Sequence, residues 1–337
     1  MRILLVTETF APAADPVADS ARHICDALIA AGHELLIFTT SVGSCTYRNA
    51  RVERTRTLFS APTIRAAAHE FAPEVIQVIS PRAMGAAAMR ALEPAGVPMV
   101  VLDPTPLHPR VGTVLTSSQS SARILGAAGI QSLVWQPGVR TDEHHPGLRS
   151  PELHDKWARV TKPEGPLTVV GYVGRVGQPT SKAVRRLAKV AALDGVRLVV
   201  LGCGPGTATL KAAGAKIVGD ATGLELARAI ASFDVLVQPR KGDASLCAVR
   251  KALASGIPVV AFATGAAKEV IEDGVNGVLV PTSFGAKALT AAITDLAADP
   301  VRRSALAERA RGSISGRTWT DAVGELVGIY EPLRPAV

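Results

Sequence analysis

Two cations seven residues apart, Arg175 and Lys182, follow the apolar run Thr168–Val173 and the single turn residue Gly174. A buried strand, a tight glycine turn, an arginine, and a lysine on the first turn of the next helix would bring positive charge and main-chain amides onto one anion. A diphosphate is the natural occupant. The alternative for the same residues is an ordinary solvated helix start. The next apolar run ends in Gly202-Cys203-Gly204-Pro205-Gly206, where the backbone must turn sharply or approach a ligand closely. A third polar loop, Gly242-Asp243-Ala244-Ser245-Leu246, follows Val235–Gln238 and leads into a helical segment that passes Lys251 and stops at Ser255-Gly256. A helix start of that kind suits a sugar or phosphate group.

These loops need strands to hold them, and the chain supplies two sets. Ile3–Val6, Leu35–Thr39, Val75–Ile79, Met99–Leu102, Thr113–Thr116 and Leu133–Trp135 form the first. Thr168–Val173, Arg197–Leu201, Lys216–Val218, Val235–Gln238, Pro258–Phe262 and Gly277–Val280 form the second. Continuous apolar runs, as opposed to alternating ones, predict strands buried on both faces of a parallel sheet. Ala-rich segments of helical period lie between them, several closed by a glycine, as at Gly32, Gly96 and Gly129. The expected fold class is therefore α/β, with two Rossmann-like doubly wound domains facing a central cleft, where strand C-termini and a ligand meet. The polar, proline-containing stretch from Arg140 to Gly165 reads as the linker. The expected division is residues 1–160, then 161–315, then a C-terminal helix over 316–337 packing back on the first domain, with Trp319 and Tyr330 as its anchors.

Composition narrows the function. The chain has 337 residues, 20% charged and 47% hydrophobic, enough for two buried cores and too apolar for disorder. Its formal net charge of +8 favours phosphate-bearing or anionic-membrane partners, although a soluble basic surface explains it equally well. Aromatics are only 4%, and no basic run exceeds Arg185-Arg186, which argues against a nucleic-acid partner. The four cysteines lack metal-ligand spacing, so neither a disulfide framework nor a metal site is expected, and a reducing cytoplasm is the default. The apolar run Met1–Val6 is too short for a signal peptide. Arg48, Arg51, Arg54 and Arg56 cluster about a β-rich segment. They could meet the inner face of a membrane as a peripheral contact, or simply protect an edge strand.

The longer motifs carry a resemblance. Leu201-Gly202-Cys203-Gly204-Pro205, Phe233-Asp234-Val235-Leu236-Val237-Gln238-Pro239, Lys251 through Ala261 and Glu269 through Pro281 resemble retaining glycosyltransferase family 4. So do Met1 through Pro12, Ala30-Ala31-Gly32-His33-Glu34-Leu35 and Gln136-Pro137-Gly138-Val139. Within that family the chain is most similar to actinobacterial GDP-mannose-dependent α-mannosyltransferases. The resemblance implies a GT-B fold and transfer of a hexose, mannose favoured, from a nucleotide diphosphate sugar to an acceptor hydroxyl with retention of configuration. It implies no metal and no cofactor besides the donor. The acceptor stays open among a glycoside, a lipid and a protein hydroxyl.

Carried onto this chain, the resemblance makes Arg175, Lys182, Asp243 and His108 the expected catalytic set. Gly174, Gly204, Pro205, Ser245, Leu246 and Lys251 are expected around the donor, and Asp103 and Asp15 on the acceptor side. His108 falls in a shortened loop, where a surface-turn histidine is the alternative. The chain departs from the family at Lys251, where relatives carry a carboxylate for the ribose, because an ammonium can only donate. It departs again at Pro16, which has no N–H to offer a phosphate. These departures support a second class of function, a catalytically degenerate GT-B protein acting as a binding or partner subunit.

Overall fold

The structure is a computed structural model and describes residues 1–13, 15–55, 60–105, 112–163, 165–242 and 246–334, with Ser60 described by its backbone alone. The chain divides into two compact units, Met1–Gly138 with Trp319–Val337, and Val139–Thr318.

Unit 1 is built on β1 (Arg2–Thr7), β2 (Glu34–Thr39), β3 (Thr46–Tyr47), β4 (Ala50–Arg54), β5 (Val75–Ile79), β6 (Met99–Leu102), β7 (Thr113–Thr116) and β8 (Leu133–Val134). Their order across the sheet is β3-β4-β2-β1-β5-β6-β7-β8, and every pair is parallel except β3 with β4. β1 is the pivot, because the chain goes to β2 on one side and to β5 on the other. Its side chains alternate between two cores. Ile3 and Leu5 pack with Ile24 and Leu28 of the helix Pro16–Ala30 and with Trp319, Leu326 and Tyr330 of the helix Trp319–Tyr330. Leu4 and Val6 pack with Ile64 of the helix Ser60–Phe71 and with Met84 and Met89 of the helix Ala83–Leu92. A strand flanked by apolar cores on both faces must be apolar at every position, which is why β1 reads as an unbroken run.

Unit 2 is built on β9 (Thr168–Val173), β10 (Val196–Leu201), β11 (Lys216–Gly219), β12 (Val235–Gln238), β13 (Val259–Phe262) and β14 (Gly277–Val280), all parallel, in the order β11-β10-β9-β12-β13-β14. β9 is its pivot, with β10 on one side and β12 on the other. Val169 and Leu236 face a core shared with the helix Cys247–Ala254, whereas Val170 and Val237 face one shared with the helix Lys182–Ala191. Both units are thus Rossmann-like and doubly wound.

The division after Gly138 falls earlier in the chain than the position near 160 expected from the sequence. The polar stretch that reads as a linker is attached to unit 2. Arg149 donates to the carbonyls of Ala231 and Phe233 and to the Asp234 carboxylate, and the Ser150 amide donates to Ser232 Oγ. Trp157 then packs on Phe233 with ring centroids 5.8 Å apart. Among the described residues no helix is long and apolar enough to cross a membrane.

Candidate functional site

In an open parallel sheet the loops beyond the strand C-termini diverge where the strand order reverses, and a ligand fits between them. Each unit has one such place, beside β1 in unit 1 and beside β9 in unit 2, and the two are chemically opposite.

In unit 1 the chain's own carboxylates occupy the helix N-termini. Glu8, just past β1, accepts through Oε1 from the amides of Arg82 and Gly85 at 2.9 Å each, closing the start of the helix Ala83–Leu92. Asp15 N-caps the helix Pro16–Ala30, accepting from the amides of Val17 at 2.9 Å and Ala18 at 3.1 Å and from Thr9 Oγ1 at 3.0 Å. Asp15 was expected on the acceptor side, and its carboxylate is committed to this cap. An aspartate followed by a proline at the first helical position is the local signature of that role. Asp103, also expected there, accepts from the amide and the hydroxyl of Ser117 at 2.8 Å each, joining the ends of β6 and β7. Both acids therefore have structural partners within unit 1. His108 lies outside the described residues.

In unit 2 the corresponding loops carry cations. Arg175 and Lys182 are exposed, and neither forms an ion pair among the described residues. Lys182 opens the helix Lys182–Ala191, which Ser181 caps through the Val184 amide. The pairing of Val173 with Leu201 puts the loop carrying Arg175 beside the glycine-rich loop after β10. Gly174 (φ +138°) gives its amide to the Leu201 carbonyl, and the Val176 amide goes to the Cys203 carbonyl. A Cβ on Gly204 (φ +156°) would stand 1.9 Å from the Val176 carbonyl oxygen, so only glycine allows the loops to lie together. Gly206 abuts Gly177 and Val184 in the same way, drawing in the start of the helix that holds Lys182.

Three amides of this loop are used internally. Gly202 donates to the Gly219 carbonyl, Cys203 to the Asp220 carboxylate at 3.1 Å and Gly204 to Thr207 Oγ1 at 3.0 Å. The sequence suggests for this loop a sharp turn or a close approach to a ligand. In the folded chain Gly174 and Gly204 shape the loops, and Arg175 and Lys182 stand exposed beside them.

Beyond β12 the structure adds cations that were not anticipated. The Arg240 guanidinium donates to the Arg175 carbonyl at 3.0 Å. Lys241 Nζ donates to the Thr282 carbonyl at 2.7 Å and lies 5.2 Å from the centroid of the Phe262 ring. Arg186 donates to the Pro239 carbonyl at 2.7 Å and stands 4.7 Å over the same ring. Burial, and then the neighbouring Arg185, lowers the Arg186 pKa from the usual arginine range. The available signal was Pro239-Arg240-Lys241, two cations directly past a buried strand.

Of the other expected donor residues, Pro205 is exposed on the glycine-rich loop. Leu246 (φ +48°) is 2% exposed, and its side chain packs into the core beside Val249 and Leu253, so that side chain offers no surface to a donor. Lys251 sits partly buried within the helix Cys247–Ala254. Asp243 and Ser245 lie outside the described residues.

The basic strip that could meet a membrane or protect an edge strand is engaged within unit 1 at its described residues. Arg48 pairs with Asp26 at 2.6 Å, and Arg51 with Glu53 at 2.6 Å and Glu70 at 3.2 Å. Arg54 donates to the carbonyls of Ala11, Ser41 and Ser44, stapling the loops after β1 and β2. Arg56 lies outside the described residues.

Comparison with known proteins identifies the family and the fold. The family model "Glycosyl transferases group 1" matches residues 168–299, the segment that holds the cationic loops. A GDP-mannose-dependent alpha-mannosyltransferase of Mycobacterium tuberculosis is 30% identical, covering 99% of this chain and 97% of the relative. The protein of the same description from Mycolicibacterium smegmatis is 29% identical, over 98% and 97%. Among solved structures, sucrose-phosphate synthase from Thermosynechococcus elongatus superposes with a TM-score of 0.79 at 17% identity, covering 98% of each chain. Anabaena Alr3699/HepE in complex with UDP-glucose does so at 0.78 and 18% identity, covering 98% of this chain and 100% of that one.

Proposed function

The chain belongs to the group 1 glycosyltransferases and has their GT-B fold, and from that premise we propose that it transfers mannose from GDP-mannose to an acceptor hydroxyl with retention of configuration. The observation that carries this reading is the pair Arg175 and Lys182, exposed cations without ion partners among the described residues, at the switch point of unit 2. The donor is named from the full-length relatives of known description.

In the proposed step the bond from the sugar's anomeric carbon to the β-phosphate oxygen breaks as the acceptor oxygen bonds to that carbon from the same face. The acceptor's proton passes to the departing diphosphate. Negative charge grows on the diphosphate during this step, and Arg175 and Lys182 lower the barrier by meeting it. No metal is needed for that charge. Asp243 would orient the sugar hydroxyls as an acceptor of their hydrogen bonds. Unit 1 offers the acceptor a neutral surface of self-capped helix starts, which suits a hydroxyl better than an anion. Glycoside, lipid and protein hydroxyls remain the candidate acceptors, with the reaction in the cytoplasm and the membrane face as the alternative venue.

Lys251 supports a second reading, a binding subunit without turnover, because relatives are expected to use a carboxylate there for the ribose. Titration calorimetry with GDP and UDP, with GDP-mannose turnover assayed in parallel, separates the two. Micromolar GDP binding with turnover that disappears in Arg175→Ala supports the transferase. Binding of neither nucleotide at millimolar concentration supports the subunit.

A further inference from the structure

Arg240 and Arg175 lie on opposite sides of the point where the order of the unit 2 sheet reverses. Arg175 follows β9, Arg240 follows β12, and these strands are direct neighbours through Val170 with Val235 and Gly171 with Leu236. The Arg240 guanidinium crosses that gap to the Arg175 carbonyl, 65 residues away in the chain. The same carbonyl accepts from the buried Tyr172 hydroxyl at 3.1 Å. Two donors therefore converge on one main-chain oxygen, beside a glycine whose φ of +138° gives the loop little rigidity of its own.

A carbonyl held by two side chains fixes the peptide plane from which the Arg175 side chain departs. Such anchoring matters where a flexible cation must be in place before a charge develops. The arrangement also holds the Arg240 guanidinium against the main chain of Arg175, and among the described residues no carboxylate pairs with either side chain. Cations on adjoining loops without an internal counter-ion favour an anion from solution.

We propose that Arg240 is a positioning residue for Arg175, holding its peptide so that the Arg175 guanidinium is aimed at the donor diphosphate. This rests on the reading of Arg175 as a diphosphate ligand. The role differs from that of an additional independent cation, which would contribute to binding whether or not Arg175 were present.

The test is a double-mutant cycle on the full-length chain, measuring GDP affinity by calorimetry for Arg175→Ala, Arg240→Ala and the double variant, with thermal midpoints in parallel. Arg240→Ala should weaken GDP binding about tenfold, and Arg240→Lys, which keeps a charged donor of similar reach, should recover most of the loss. In the Arg175→Ala background the Arg240→Ala substitution should cost less than about twofold, because nothing is left to position. Equal cost in both backgrounds would overturn the positioning role and make Arg240 a separate cation. Unchanged GDP affinity in Arg240→Ala, with Arg175→Ala impaired, would defeat the proposal alone. Unchanged affinity in Arg175→Ala would defeat the underlying site and the proposal together. A large fall in the thermal midpoint of Arg240→Ala, not restored in Arg240→Lys, would reduce the contact to a purely structural one.

Discussion

Glu8 Oε1 accepts the Gly85 amide at 2.9 Å, across the gap between β1 and β5 where a Rossmann-like unit ordinarily admits a ligand. With the Arg82 amide on the same oxygen, the carboxylate fills the anion position of the helix Ala83–Leu92. The positive end of that helix is thus neutralised from within the chain. Among its described residues unit 2 has no such internal anion on Arg175, Lys182 or Arg240, and the proposed place of the donor phosphate rests on that asymmetry.

Replacing Glu8 with alanine leaves two amides at a helix start without their acceptor. The expected cost is about 1–3 kcal/mol, read as a lower urea midpoint. A midpoint within error of the native chain would mean that solvent satisfies those amides equally well.

Gly204→Ala drives a Cβ to within 1.9 Å of the Val176 carbonyl oxygen, so the loop after β10 must retreat from the loop carrying Arg175. Roughly 1–3 kcal/mol of stability should be lost. GDP affinity should fall as well at temperatures where the variant is fully folded. Native affinity in a destabilised Gly204→Ala would show that the two loops need not touch for the cations to work.

His154 and Asp234 form a pH-dependent brace. His154 Nε2 donates to Asp234 at 3.1 Å, and the Val169 amide donates to the same carboxylate at 2.8 Å. The bond to Asp234 raises the His154 pKa above 6.5. Burial pushes the Asp234 carboxyl up, but the His154 hydrogen bond and the Val169 amide outweigh it and hold the group below 3.8. The histidine contribution is complete below pH 6.5 and is lost as pH rises through the elevated folded value. The aspartate contribution is complete above pH 3.8 and is lost as pH falls through the depressed one. The thermal midpoint gap between the native chain and His154→Gln should therefore be widest from about pH 4 to 6.5, and should narrow on the alkaline side. A gap that stays constant up to pH 9 would contradict the brace.

Tyr330 donates to Gln77 Oε1 at 2.7 Å, and both residues are fully buried. Burial raises the phenol pKa well above 10, so it remains a donor. Tyr330→Phe leaves the amide oxygen of β5 without its partner, at about 1–3 kcal/mol. Equilibrium denaturation should report that loss in unit 1, and a neutral substitution would show that the tail helix is held by its apolar face alone.

Particular residues show where sequence reading succeeded. Ile3–Val6 and Val169–Val173 were legible as buried parallel strands because neither alternates with charged or strongly polar side chains, and each has a core on both faces. Arg175 and Lys182 were legible as exposed cations at a strand-to-helix junction because that depends only on neighbours in the chain. The cap at Asp15 was equally local, in the dipeptide Asp15-Pro16, but a functional assignment displaced it.

Other features had no local trace. The stretch Arg140–Gly165 is polar and rich in turns, and nothing near it reveals that Arg149 and His154 are bound to Asp234 about eighty positions later. Asp103 reads as a free carboxylate until β7 brings Ser117 against it. The glycine-rich loop reads as a sharp turn or a ligand approach, and only the fold shows that the Gly202 amide is taken by the Gly219 carbonyl and the Gly204 amide by Thr207 Oγ1.

The order of residues settled which segments are strand and which are helix, where the cations stand relative to them, and the resemblance to a transferase family, because periodicity, capping and turn chemistry act over a few residues. Only the folded chain decided which polar groups are already satisfied and which remain for a ligand. That depends on hydrogen-bond partners tens of residues away. Glu8 and Arg240, each engaged across a strand reversal, are therefore the residues whose roles no local pattern could assign.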